Sequence, residues 1–422
     1  MRTLEVLLGN DVVGHVRETR KGARFSYSPD AVSRFGGLPL LSLSLPVKER
    51  AFGEGKTANW FEGLLPEGVR RDNLCNRFGL DRYDWIGLLA EVGWECAGAV
   101  RIYEEGRRGV ENGSYERIAP DELARKLSAC FFSAPGAFTT SYRVSLGGFQ
   151  EKICVAAPRA GEAGRGLNLD EVFLPEGGAA STHIIKPEPN EYPGLAQSEA
   201  WAMTVAAAAA RCSKVSLLTL DGAPDALVVE RYDRTGSQWP DDATRLHQED
   251  ACQALGLAPS QKYASEGGEK GSDPTYRKIA DLLTSYADDP MEELAELLRH
   301  MTINVALGNW DAHAKNISLL YKRMASPTIA PLYDVVPISE VEPRTDFMSM
   351  RIAGTLDPRS VTGETLLNEA VSWGLSPDYA GEIVNACLAD LNQGIDAAGE
   401  RYPQAAERHE EAARFRMGRL LV

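Results

Sequence analysis

Cysteine, long apolar runs and positive charge are all scarce in these 422 residues, and each scarcity excludes a class of protein. Cysteine stands only at positions 75, 96, 130, 154, 212, 252 and 387, an odd number with no C-x-x-C pair, so neither a disulfide framework nor a zinc knuckle fits. The best apolar run, Trp201 to Ala210, is about half a membrane span and mostly alanine. The opening Met1-Arg2-Thr3-Leu4-Glu5 has no apolar core of the signal-peptide kind, which points to a cytoplasmic protein without a membrane segment. Lys and Arg number 45 against 60 Asp and Glu, and the resulting charge of -15 opposes unaided binding to a phosphate backbone.

What is present reads as an ordinary folded chain, since 44% hydrophobic and 25% charged residues leave no room for long disorder. The length allows two or three domains of about 150 residues each. Thr3 to Leu8, a Gly9-Asn10-Asp11 turn and Val12 to Val16 alternate like a β-hairpin, and short helices with aromatic anchors follow near Asn59 to Pro66 and Asp84 to Leu89. Charged, glycine-bearing Glu104 to Gly113 reads as a linker. Strand patterns then dominate to residue 233, enclosing one expected helix from Ala196 to Cys212 that includes the Ala206 to Ala210 run. Beyond 245 the spacing becomes helical, in stretches ending with Tyr379 to Ile395. The expected organisation is an α+β module at 1–104, a β-rich lobe at 105–233 and an all-α C-terminal lobe at 234–422.

The sharpest local feature is Asp311-Ala312-His313-Ala314-Lys315-Asn316, where Asp311 and Asn316 have the D-x-x-x-x-N spacing of a kinase catalytic loop. In that chemistry the carboxylate accepts a hydroxyl's proton and the amide oxygen faces magnesium. Pro331-Leu332-Tyr333-Asp334 offers a second carboxylate, and a site of few hard oxygen donors suits an ion that keeps waters and takes phosphate oxygens. Upstream, Ser145-Leu146-Gly147-Gly148-Phe149-Gln150-Glu151-Lys152 sets a glycine turn beside strands, letting backbone amides approach phosphates. Alternation along Thr182 to Lys186 turns Lys186 inward, where an anion such as Glu199 on the next helix, or a nucleotide phosphate, is needed. Main-chain groups at Glu230, Arg231 and Tyr232 could hydrogen-bond an adenine edge.

In this order these stretches resemble the HipA family of serine/threonine kinases, the toxin components of bacterial HipBA toxin-antitoxin pairs. Val144 to Lys152, Thr182 to Lys186, Val229 to Arg234, Arg245 to Asp250, Lys262 to Gly268, Asp311 to Asn316 and Pro331 to Asp334 carry the likeness, with Pro39 to Pro46 and Asn59 to Pro66 in the N-terminal module. The resemblance implies a bilobal protein-kinase-like α+β fold, with ATP and Mg2+ as cofactors. Asp311 would be the proton acceptor, Asn316 and Asp334 the metal ligands, and Lys186 the phosphate partner. Gly147 to Lys152 would wrap the nucleotide, Glu230 to Tyr232 would hold adenine, and His313, Ala314, Lys315 and Tyr333 would line the phosphate side. It also implies autophosphorylation at Ser145 as self-inactivation, since a phosphate there would repel a nucleotide's phosphates. A HipB-like helix-turn-helix antitoxin and an aminoacyl-tRNA synthetase substrate are the implied partners, with DNA reached only through the antitoxin. Two other readings of the same residues are a metal-dependent hydrolase built on Asp311, His313 and Asp334, and a catalytically silent kinase-fold module acting as a co-repressor.

Overall fold

The structure, a computed structural model, describes residues 1–107, 113–130, 151–159, 166–266, 270–323, 325–341 and 346–422. The chain divides into two compact units. One comprises Met1–Pro187, Leu218–Glu249 and Gly256–Pro259; the other comprises Glu188–Leu217, Asp250–Leu255 and Ser260–Val422. Among the described residues no helix is long and apolar enough to cross a membrane.

The first unit begins with β1 (Thr3–Leu8), β2 (Asp11–Thr19) and β3 (Gly22–Tyr27). Leu8 pairs with Asp11, so Gly9 and Asn10 form a two-residue hairpin loop, with Gly9 at φ +62°. With β4 (Val100–Glu104) these strands make an antiparallel sheet in the order β3-β2-β1-β4. Its inner face, including Leu4, Val6 and Phe25, packs on aromatics of α2 (Glu54–Glu62) and α4 (Trp85–Val92), while α1 (Pro29–Phe35) and α3 (Gly68–Phe78) complete the module. Glu249 is buried as a common acceptor for this module: Ser42 Oγ donates to it at 2.6 Å, Leu43 N at 2.9 Å and Trp60 Nε1 at 3.1 Å.

Further along the same unit, β5 (Ser114–Arg117) pairs with β7 (Phe173–Glu176), and α5 (Pro120–Ala129) packs its Leu123 and Leu127 into a second apolar core. β6 (Ile153–Val155), β8 (His183–Pro187) and β9 (Ala226–Glu230) form an antiparallel sheet with β8 in the middle. A short ribbon follows, β10 (Arg234–Thr235) on β11 (Thr244–Arg245).

The second unit is mainly helical: α6 (Leu195–Ala206), α7 (Ala251–Leu255), α8 (Tyr276–Tyr286), α9 (Pro290–Leu307), α10 (Ile338–Val341), α11 (Gly363–Ser372), α12 (Pro377–Arg401) and α13 (Pro403–Leu420). It also holds a hairpin, β12 (Ser318–Arg323) with β13 (Ser326–Ile329), so the C-terminal part is not purely helical. α9 is the axle, packed against α8, α12 and α13. Asp289 caps its start by accepting from Glu292 N, Pro290 opens its first turn, and Gly308 ends it at φ +74°. Its buried acids Glu293 and Glu296 are met by Arg211 at 3.2 and 3.3 Å. That pairing also explains why α6 stops at Ala206 instead of running to Cys212. The chain must turn through the remaining alanines to bring Arg211 to Glu296, and tertiary pairing overrides alanine's helix propensity.

Candidate active site

The end of α9 sets the site. Past Gly308, the Asn309 side chain donates to Asn304 Oδ1 at 2.8 Å and to the carbonyl of Asp334 at 3.2 Å, joining the two segments that carry Asp311 and Asp334. Asp334 sits at φ +61°, a left-handed conformation uncommon for a residue with a Cβ, and the Asn309 contact helps hold it there. Within the 311–316 loop, His313 N donates to Asp311 O at 2.7 Å and Asn316 N to His313 O at 2.8 Å. The Asn316 side-chain nitrogen donates to Asp311 O at 3.3 Å, so its amide oxygen faces away from that carbonyl.

Each remaining residue of the loop is held by a partner. Lys315 is buried and paired with Asp250 at 2.8 Å, and Tyr333 donates its hydroxyl to Lys315 O at 2.7 Å. Ala314 N donates to Lys262 O at 3.2 Å, and the Tyr263 ring meets His313 edge-on at 5.3 Å. Ser349 receives Ala264 N on its carbonyl, donates its own N–H to Trp310 O, and sets its hydroxyl 3.2 Å from Asp311 Oδ1.

Electrostatics separate the groups by role. Asp311 is open to solvent on one side and crowded by protein on the other. That crowding, followed by the negative charge of Asp334, raises its pKa above the ordinary carboxylate value, with Ser349, Lys262 and Tyr263 opposing. The two carboxylates therefore sense each other. His313 is pushed down to about 3 by burial and then by the cations of Lys262 and Lys315, against the pull of Asp334, so it is neutral at physiological pH. Asp334 and Asn316 carry hard oxygens of the kind that suits magnesium, which needs few protein ligands. Among the described residues no three His, Cys, Asp or Glu side chains converge as a metal site, so the histidine-plus-carboxylate set of a hydrolase is not assembled.

The other expected residues are on separate segments of the chain, each described within its own unit. Glu199 is 1% exposed in the helical unit. In the first unit Lys186 is buried on β8 opposite Leu227, and Glu151 and Lys152 are half-buried before β6. Burial raises the Glu151 carboxyl. Glu230 pairs with Arg159 at 3.4 Å, and Tyr232 donates to Gln248. Arg231 N is taken by Thr182 O at 2.9 Å. Gly147, Gly148, Phe149, Gln150 and Ser145 lie outside the described residues.

Sequence reasoning gave no role to a buried ionic cluster beside this strand end. Glu95 Oε1 takes Arg231 at 3.0 Å, Arg234 at 2.8 Å and Ser181 Oγ at 2.6 Å, while Oε2 takes Arg245. Asp233 adds a second anion at 2.7 Å from Arg231. Asp250, Lys262, Asn309 and Ser349 were likewise given no role, because each acts through contacts far apart in sequence.

Known proteins resemble this chain over most of its length. The HipA-like C-terminal domain matches residues 144–395 and the HipA N-terminal domain residues 4–103. A protein named "Putative kinase Y4mE" from Sinorhizobium fredii is 34% identical over 359 residues, 83% of this chain and 81% of its own length. The serine/threonine-protein kinase toxin HipA of Shewanella oneidensis is 26% identical over 375 residues, 85% and 80% of the respective chains. A solved structure of the Shewanella oneidensis HipA, HipB and operator DNA complex superposes with a TM-score of 0.81 at 23% identity, covering 99% of this chain and 97% of that one. By its matched domains, its relatives and its kinase-like α+β fold, the chain belongs to the HipA family.

Proposed function

We propose that this chain is an ATP- and magnesium-dependent protein serine/threonine kinase and the toxin of a toxin-antitoxin pair. The observation that carries the reading is the joining of Asp311, Asn316 and Asp334 through Asn309 and the loop's own hydrogen bonds, with a raised proton affinity at Asp311. Asp311 takes the proton of an acceptor hydroxyl as that oxygen bonds the terminal phosphorus, and the bridging oxygen leaves on the nucleoside diphosphate. Asp334 and Asn316 would hold the metal, which would supply charge neutralisation for the phosphates. Neutral His313 and the Asp250-anchored Lys315 line the phosphate side with Ala314 and Tyr333. By the family's pattern Lys186 serves the phosphates, Glu199 is its supporting anion, and Gly147 to Lys152 serve the nucleotide. Main-chain groups of Glu230 and Tyr232 serve the adenine, since the N–H of Arg231 is already engaged.

The finer parts of the reading follow the family. The acceptor is a translation component such as an aminoacyl-tRNA synthetase, Ser145 is the self-inactivating phosphosite, and a HipB-like antitoxin is the partner that brings the chain to DNA. The test is transfer of radiolabelled phosphate from ATP to a cell lysate with the labelled band identified by mass spectrometry. Transfer that needs magnesium and disappears in Asp311→Asn is expected; full transfer by Asp311→Asn overturns the assignment. Phosphate found only at sites other than Ser145 removes the autophosphorylation proposal.

A further inference from the structure

Arg416 lies on the C-terminal helix α13, outside residues 144–395 of the matched C-terminal domain, and more than 80 residues along the chain from either carboxylate of the site. Its guanidinium reaches two places at once. Nε donates to the carbonyl of Ala306, in the last turn of α9 just ahead of the Asp311 loop, at 3.0 Å. Nη1 donates to Glu340 Oε1, on the short helix that follows the Asp334 segment, at 2.6 Å. Glu340 is fixed from other sides too: Ser339 Oγ donates to it at 2.6 Å, and His409 Nδ1, also on α13, stands 3.7 Å from Oε2.

The two segments meet again at Gly308, whose carbonyl accepts Ser339 N at 3.3 Å. A Cβ at position 308 would strike Ser339 Oγ and come within 2.9 Å of Arg416 Nη2, so the close approach requires glycine in addition to the φ of +74°. Asn309 then links the same two segments on the site side through the Asp334 carbonyl. The Asp311 loop and the Asp334 segment are thus tied together three times, at Asn309, at Gly308 and by a side chain from α13.

We infer that Arg416 and Glu340 are positioning residues, a clamp by which the C-terminal helix fixes the separation of Asp334 from Asp311 and so sets the affinity for magnesium-nucleotide. The inference rests on the kinase reading above. Neither residue touches the reacting atoms; both act through the backbone that carries Asp334. Loss of an outer partner that holds a metal ligand in place typically costs roughly 10- to 100-fold in metal affinity.

The test uses the full chain, a non-hydrolysable ATP analogue and a magnesium titration, with amide hydrogen exchange as a readout independent of metal. Arg416→Gln is expected to raise the magnesium concentration needed for half-maximal analogue binding by roughly 10- to 100-fold. The Ser339 amide should exchange faster with no ligand present. Glu340→Gln should give the same direction, and the double variant should be no worse than the more affected single one, because both remove one clamp. Arg414→Gln breaks the pairs with Asp396 on α12 and Glu410 on α13, neither of which contacts the clamp, and should leave the magnesium requirement unchanged.

An unchanged magnesium requirement and unchanged Ser339 exchange in Arg416→Gln would overturn the clamp, as would strictly additive losses. Should Arg416→Gln fail to fold, Arg416→Lys keeps the charge but cannot span Ala306 and Glu340 together. An intermediate shift supports the clamp and none overturns it. Failure of the unaltered chain to bind the analogue would instead strike the kinase reading, while Ser339 exchange would still decide whether the clamp holds the segment.

Discussion

Glu95 and Asp311 are both carboxylates in neighbourhoods rich in charge, yet their acidities move in opposite directions. Around Glu95, burial works to raise the carboxyl, but Arg245, Arg234 and Arg231 together overcome it and hold the group well below the usual carboxylate range. Around Asp311, crowding and the like charge of Asp334 add up, and the opposing contacts do not cancel them. The first arrangement is closed, over-supplied with cations and committed to holding strands in place. The second is open and keeps a carboxylate ready to take a proton. The difference shows that a cluster of charges reads as structural or chemical by whether its charges are already satisfied.

That contrast can be broken from either side. Asp311→Asn should cost the most, roughly 10²- to 10⁴-fold in phosphoryl transfer, with the thermal unfolding midpoint little changed. A large fall in that midpoint would place Asp311 with the structural charges. Glu95→Gln should do the reverse, destabilising the first unit by about 3–5 kcal/mol in denaturant titration because Arg231, Arg234 and Arg245 lose the one anion that all three share. A loss under 1 kcal/mol would mean that the cluster is not a lock.

Acid should expose the same asymmetry. His183 and His247 of the first unit are each held down to about 4 by burial, below the ordinary histidine value. Between pH 6.5 and 4 the unfolded chain binds protons that the folded chain refuses, so stability present above 6.5 is lost as pH falls, by about 3 kcal/mol per histidine. Asp233, lowered to about 2, and Glu95 add a second loss only below about pH 4. Unfolding free energies measured from pH 7 to 3 should fall in those two steps, and a flat curve from 6.5 to 4 would contradict the burial argument. The smallest effect is expected from Ser349→Ala. Loss of its hydrogen bond raises Asp311 further and slows transfer about fivefold, the worth of about 1 kcal/mol, as read from the pH–rate profile.

Local patterns were legible in the sequence where a few adjacent residues decide the geometry. The Gly9-Asn10 hairpin, the inward Lys186 strand and the Asp311-to-Asn316 loop all belong to this kind. The Asp334 segment was picked out by its carboxylate, but neither its positive φ nor its tie to Asn309 leaves a local mark. Contacts such as Glu95 with Arg245, Asp250 with Lys315 and Arg416 with Glu340 join residues 65 to 150 positions apart, and no spacing rule announces them. α13 went unread because its buried stripe is built largely from Ala405, Ala406 and Ala413, which give weak contrast against the charged face.

The backbone of Asp334 has a consequence for which residues the position can accept. Glycine would take the left-handed turn without cost but bring no oxygen, whereas glutamate would bring the charge on a longer arm and a less tolerant backbone. Asparagine suits the turn yet gives up the negative charge. On the proposed kinase reading, aspartate alone among the twenty meets both demands, so drift at this position is closed off twice over, by chain geometry and by the ligand chemistry that reading requires.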